Sequence, residues 1–223
     1  MKIGINLVGV SYNDGTIGRY RNYEDAIAGF MTNIINPLKN EGHSIQYYIF
    51  SYDNIKRNEI LNAYQPVIKS EFIHPTYNTL GGGDKLSNGF KAISAAYINS
   101  LQQLKNENLD LIISTRFDIN FFKNPLKEYP YDFNKFNFLW REPHLHNLPL
   151  VNDTFVVFPY SMLDSVIESI KEMEFNPPQK VNIAMHNWYL PMINQVGEEN
   201  VQWVCDDFVN AIDNNLYKLM RNE

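Results

Sequence analysis

The stretch Leu109-Asp110-Leu111-Ile112-Ile113-Ser114-Thr115-Arg116-Phe117-Asp118-Ile119-Asn120-Phe121 decides how the rest of the chain reads. A short apolar run ends in a compact polar cluster, Ser114 to Asp118, and the apolar character then resumes. The run is strand-length and fits a strand buried in the middle of a sheet. Immediately before it, Leu86, Phe90, Ile93, Tyr97, Leu101 and Leu104 fall on one stripe of an amphipathic helix. Helix followed by buried strand is the alternation that builds parallel sheets.

The same alternation extends in both directions. Upstream, Ile3–Val10 reads as a buried strand, and Ser11–Asn22 as a polar loop bearing Gly18, Arg19 and Arg21. Ala26, Ile27, Phe30, Ile34, Ile35 and Leu38 recur at helical spacing across Tyr23–Lys39, and Gly42 closes that helix. Ile45–Tyr52 and Val67–Ile73 read as strands around a short helix at Ile55–Tyr64. A loop over 74–85 carries Gly81-Gly82-Gly83, which matches no phosphate-binding pattern and reads as a hinge or lid. Downstream, Phe136–Trp140, Thr154–Phe158 and Val201–Val204 read as strands. Helices are expected near Tyr160–Met173 and Val181–Gln195, with a helical tail from Asp207. The expectation is an α/β protein, one domain over 1–223, with a mostly parallel central sheet and helices on both faces.

Composition narrows the function classes. The 223 residues are 44% hydrophobic and 20% charged, which excludes wholesale disorder. The single cysteine, Cys205, excludes an intramolecular disulfide and a cysteine-based zinc site. A net charge of −6 argues against a general nucleic-acid binder. No stretch is long and apolar enough for a transmembrane segment, and no signal-peptide pattern opens the chain, so a cytoplasmic protein is expected, of a bacterium or of a virus-infected host cell. Neither a Gly-x-Gly-x-x-Gly nor a Gly-x-x-x-x-Gly-Lys-Ser/Thr pattern occurs, which counts against dinucleotide enzymes and P-loop NTPases.

In open α/β sheets, ligands bind beyond the carboxyl ends of the strands. Arg116 and Asp118 stand at such an end. A carboxylate there suits a hard divalent cation on a diphosphate, and an arginine suits phosphate oxygens directly. The bland alternative is an Arg–Asp pair that only finishes a strand.

Helix, apolar strand and then Arg116-Phe117-Asp118-Ile119 resembles the centre of the GT-A nucleotide-sugar glycosyltransferases, whose Asp-x-Asp motif ends the fourth strand. Asp118 matches the second acidic position, and Arg116 replaces the first. Leu86-Ser87-Asn88-Gly89-Phe90 resembles the helix that faces the nucleotide in that family. The resemblance implies a sugar transfer, hexosyl or deoxyhexosyl, from a nucleoside diphosphate donor, a UDP-sugar foremost, to a hydroxyl of a glycan acceptor. It implies a nucleotide-binding part over about 1–120 and an acceptor-binding part over about 121–223. It implies Mn²⁺ or Mg²⁺ on Asp118, with Asn120 and His186 as further ligands, although Arg116 could neutralise the diphosphate in the metal's place. It places the nucleotide on Gly9, Val10, Tyr52 and Asp53 at the ends of the first two strands, with Asn88, Arg19, Arg21 and Arg116 beside it. Tyr52 would stack on the base and Asp53 would take ribose hydroxyls, unless Asp53 instead caps the helix that follows. Asp153 is the expected acceptor base and Glu142 its rival. Trp140 reads either as a sugar platform or as a core aromatic. A zinc site from His144, His146 and His186 is conceivable. The alternatives are a nucleotidyltransferase on a similar sheet and a non-catalytic glycan- or nucleotide-binding module.

Overall fold

The computed structural model describes residues 1–16, 19–75, 88–141, 151, 153–175, 187–207, 209 and 214–220. Its first strand, β1 (Lys2–Val8), is followed by a small hairpin, β2 (Tyr12–Asn13) and β3 (Arg21–Asn22). The expected polar loop therefore doubles back on itself and returns its arginines toward the end of β1.

The helix expected over 23–39 spans α1 (Glu24–Phe30) and α2 (Asn36–Asn40), joined by a π-helical turn at Met31–Ile35. Then come β4 (Ser44–Tyr52), α3 (Arg57–Ala63), β5 (Val67–Ile73), α4 (Asn88–Gln102) and β6 (Leu111–Arg116). After β6 the chain turns through Phe117 and Asp118 into β7 (Ile119–Phe121), α5 (Pro125–Glu128) and β8 (Phe136–Phe138). The remaining elements are β9 (Phe155–Pro159), α6 (Leu163–Phe175), α7 (Tyr189–Val196), β10 (Val201–Trp203) and β11 (Tyr217–Leu219).

Seven strands form one sheet in the order β10-β8-β9-β6-β1-β4-β5. Every pair is parallel except the two made by β9, which runs against both β6 and β8. The mostly parallel α/β sheet expected from the sequence is thus present. Both faces are covered, as continuous apolar runs in parallel strands require. On one face Ile3, Ile5, Leu7, Leu111 and Ile113 pack with Phe30, Ile34, Ile35 and Leu38 of the first helical segment. On the other, Tyr48, Phe50, Ile112, Val156 and Phe158 pack with Tyr97 and Leu101 of α4, Val166 and Ile170 of α6, and Trp188. No helix among the described residues is long and apolar enough to cross a membrane.

The expectation of a helical tail from Asp207 fails at its end. Tyr217–Leu219 is a strand, paired antiparallel with Ile119–Phe121. The alternation Tyr217, Lys218, Leu219 reads buried, exposed, buried, which is strand period rather than helical. The Tyr217 ring packs edge-on against Phe121 and stacks on Trp140, 5.5 Å away at 18°.

Candidate active site

The strand order reverses direction between β1 and β6. From β1 the chain builds outward through β4 to β5, then returns to lay β6 on the other side of β1. The crevice beyond the carboxyl ends of those two strands is the topological switch point, where open α/β sheets bind their ligands. Val8 and Arg116 are register partners at that edge.

Gly9 follows Val8 with φ +107°, a conformation that side-chain-bearing residues rarely adopt. A methyl group built on Gly9 would meet nothing within 4 Å. The space in front of Gly9 is therefore open, and the backbone conformation rather than crowding calls for glycine. Val10 follows, half-buried. The start of the hairpin is tied down by Ser11, whose hydroxyl lies 2.6 Å from that of Ser51 near the end of β4.

Asp118 is buried, 3% exposed, and engaged by two arginines. Arg116 forks onto it with Nε donating to Oδ1 at 2.9 Å and Nη2 donating to Oδ2 at 2.6 Å. Arg21, from the hairpin, brings Nε within 3.0 Å of Oδ2. The Arg21 Nη1 also donates to the Tyr20 carbonyl at 2.7 Å. A buried carboxylate needs such partners, because an isolated buried charge costs several kcal/mol or more. Burial works against the charge on Arg116, but Asp118 beside it, together with Asp153 and Tyr97, outweighs that and holds the guanidinium above its ordinary pKa. The Arg116 side chain remains 25% exposed.

Two further groups complete the cluster. Asp153 lies two residues before β9 and within electrostatic reach of Arg116. Tyr97, from α4, donates from its hydroxyl to the Asp153 carbonyl at 3.0 Å. Burial, with Asp153 and Asp118 nearby, raises the Tyr97 hydroxyl well above its usual range. Sequence reasoning places Tyr97 only in an apolar stripe. The signal that marks it is a hydroxyl-bearing ring among aliphatic residues, aimed at the strand ends.

Of the residues expected to act together, Arg21, Arg116, Asp118 and Asp153 are brought to one place. Gly9 and Val10 stand at the adjoining strand end. Arg19 lies in the hairpin, half-buried, and its carbonyl accepts from Asn13 at 2.9 Å. Asn88 begins α4, and its side chain lies outside the described residues, as do Glu142, His144, His146 and His186 and the glycines at 81–83.

Other placements differ from expectation. Asn120 is turned toward α1: a methyl group on Gly29 of that helix would collide with its Oδ1, so its amide packs against the helix. Tyr52 is 4% exposed, and burial pushes its hydroxyl up to about 12, so its ring has no open face for a base. Asp53 is exposed and pairs loosely with Arg57 at 3.9 Å. Asn54 closes the turn ahead of α3, its Oδ1 accepting from the Lys56 amide at 2.9 Å and its Nδ2 donating to the Tyr52 carbonyl at 2.8 Å, and no side chain among the described residues caps the helix. Trp140 is 1% exposed and stacked on Tyr217, a core aromatic rather than a sugar platform. Asp206, beside the expected start of the tail helix, accepts from Arg141 Nε at 2.6 Å, and that guanidinium lies 4.0 Å from the Trp203 ring centroid.

No protein-family model matches the chain, and no curated protein matches it in sequence. Among solved structures it is similar to the crystal structure of a glycosyltransferase involved in the glycosylation of the major capsid of PBCV-1. The identity is 10% and the TM-score 0.47, over 92% of this chain and 82% of that one. An overlap this loose carries no argument about activity, which has to come from the site itself.

The residues around Asp118 do not fit a divalent cation. Mg²⁺ and Mn²⁺ take oxygen ligands, and both Asp118 oxygens already accept charged N–H donors. Two guanidiniums lie directly on this carboxylate and oppose a dication at it, while Asp153 beside Arg116 brings the four-residue cluster to formal neutrality. Among the described residues, no three His, Cys, Asp or Glu side chains gather as a metal site.

Proposed function

We propose that the chain is a glycosyltransferase that moves a sugar from a nucleoside diphosphate donor to a hydroxyl of a glycan acceptor. The observation that carries this reading is the pairing, at one topological switch point, of a charged arginine fork on Arg116 with a separate carboxylate on Asp153. An arginine fork suits the diphosphate of the donor. A nearby carboxylate suits the acceptor.

The step follows from those roles. The acceptor oxygen attacks the anomeric carbon of the sugar, and the bond from that carbon to the diphosphate oxygen breaks. The acceptor proton passes to the Asp153 carboxylate, as a positioned general base allows. The electron pair leaves with the diphosphate, where fixed positive charge stabilises it as it develops. Gly9 and Val10 supply a ledge beside that diphosphate, and Arg19 and Arg21 approach it from the hairpin. The nucleotide is uridine diphosphate in this reading, and the acceptor lies over the part of the chain after residue 121.

The test is release of nucleoside diphosphate from a panel of UDP-glucose, UDP-galactose, UDP-N-acetylglucosamine, GDP-mannose and GDP-fucose, without and with oligosaccharide acceptors. The expected result is slow release from one nucleotide class, accelerated by an acceptor and lost in Asp153→Asn. Glycan binding with no effect of any nucleotide would replace this reading with a non-catalytic binding module.

A further inference from the structure

We propose that the donor diphosphate is held on arginine rather than on a divalent cation, with Asp118 acting as a positioning residue that sets the arginines. This rests on the transferase reading above and names how that same site takes its ligand.

The geometry supports it in three ways. The Arg116 guanidinium spends Nε and one Nη2 hydrogen on Asp118, while no hydrogen bond of Nη1 is found among the described residues. An arginine carries five N–H donors in a rigid fork, so the bidentate grip on Asp118 fixes the plane of the remaining ones. The side chain is 25% exposed at the end of β6, so it is not sealed from solvent. Arg21 adds a second guanidinium to the same carboxylate from a different element. Its position ties the hairpin over the strand ends.

A positioning role and a simple charge role predict opposite signs. If Asp118 only added negative charge near an anion site, Asp118→Asn would tighten diphosphate binding. If Asp118 sets the arginines, the same change loosens them and weakens binding. A metal-ligand role predicts a third pattern, in which binding requires the cation and Asp118→Asn abolishes the gain that MnCl₂ gives.

The measurement is isothermal titration of UDP and of GDP into the full chain, in EDTA and again in MnCl₂. The same titrations follow for UMP and for the variants Asp118→Asn, Arg116→Lys and Arg116→Gln. The expected Kd for the diphosphate agrees within about threefold in EDTA and MnCl₂. It rises about 10- to 100-fold in Arg116→Gln, the range for losing hydrogen bonds to a charged group. Arg116→Lys keeps the charge but not the fork, and recovers only part of that loss. Asp118→Asn weakens binding.

Binding of UDP or GDP only in MnCl₂ would overturn this inference and leave the transferase reading in place. Absence of binding of either diphosphate under both conditions would remove both. Should Asp118→Asn fail to fold, the wild-type comparison of EDTA with MnCl₂ decides between arginine and cation, and equal affinity in Arg116→Lys and wild type would contradict the need for a set fork.

Discussion

Arg116 and Asp118, two residues apart at the end of the central strand, are joined by parallel hydrogen bonds of 2.9 and 2.6 Å, and Arg21 closes on the same carboxylate from the hairpin. One buried anion is thus shared by two cations that arrive from different parts of the chain. The arrangement links folding to the candidate site, since the carboxylate that holds Arg116 also ties down the hairpin after the first strand.

That sharing has a measurable consequence for stability. Removing one arginine leaves Asp118 with the other, so Arg116→Gln and Arg21→Gln should each cost about 1–3 kcal/mol in urea unfolding. Removing both takes away the two cations that face the buried carboxylate. The double variant should therefore lose more than the sum, with a coupling of about 0.5–3 kcal/mol. Simple additivity would mean that the carboxylate finds water when these arginines go.

Gly29 separates local propensity from packing. In an exposed helix Gly→Ala gains about 1 kcal/mol. Here the added methyl would collide with Asn120 Oδ1 and lie 2.5 Å from the Phe121 carbonyl oxygen. The Asn120 amide can rotate, but the strand backbone cannot, so packing wins. Gly29→Ala should lower stability by about 1–3 kcal/mol, read from denaturant midpoints. A gain would mean that α1 slides on β7 without penalty.

Much of this is legible in the sequence. The strands are readable because parallel-sheet strands buried on both faces are continuous apolar runs, and Leu111 to Ser114 is buried throughout. The place of the site follows from polar residues at a strand end. Relations between distant segments are what local pattern does not carry. Arg21 reads as a loop arginine that could reach phosphate, and nothing local to Arg19-Tyr20-Arg21 announces Asp118 as its partner. Asn120 reads as a ligand because it is polar and close to Asp118, but its amide lies against Gly29 of α1. Nothing local to Tyr217–Leu219 announces a partner, since its pairing with β7 is long-range.

Alkaline pH offers a check on the aromatic core. Burial raises the hydroxyls of Tyr47, Tyr48, Tyr64 and Tyr97, and brings Tyr52 to about 12. An unfolded tyrosine ionises near pH ~10. Below that pH both states keep the proton and the contribution to stability is complete. Between about pH 10 and 12 the unfolded chain releases protons that the folded chain retains, so stability falls as pH rises. Tyrosinate absorbance should therefore rise in two stages, the second coinciding with loss of the circular dichroism signal. A single early transition to full ionisation of the 14 tyrosines with the fold intact would contradict the burial.

Asp153 separates binding from chemistry. Its main-chain carbonyl is held by the Tyr97 hydroxyl, which anchors the residue from α4 rather than from the arginine fork. Asp153→Asn should slow acceptor-dependent transfer by about 10²- to 10⁴-fold, the usual weight of a general base, with diphosphate affinity within about threefold of wild type. Equal losses in both would place Asp153 in the donor site.

The central claim is that a nucleoside diphosphate lies beyond the carboxyl ends of β1 and β6, against Gly9 and the Arg116 fork. A crystal structure of the chain with UDP, grown in EDTA, tests it most directly. The account predicts diphosphate oxygens about 3 Å from Arg116 nitrogens, a normal hydrogen-bond length, with Asp118 still bound to both arginines. UDP seated elsewhere, or Asp118 released from Arg116 to face the phosphates through a cation, would contradict it.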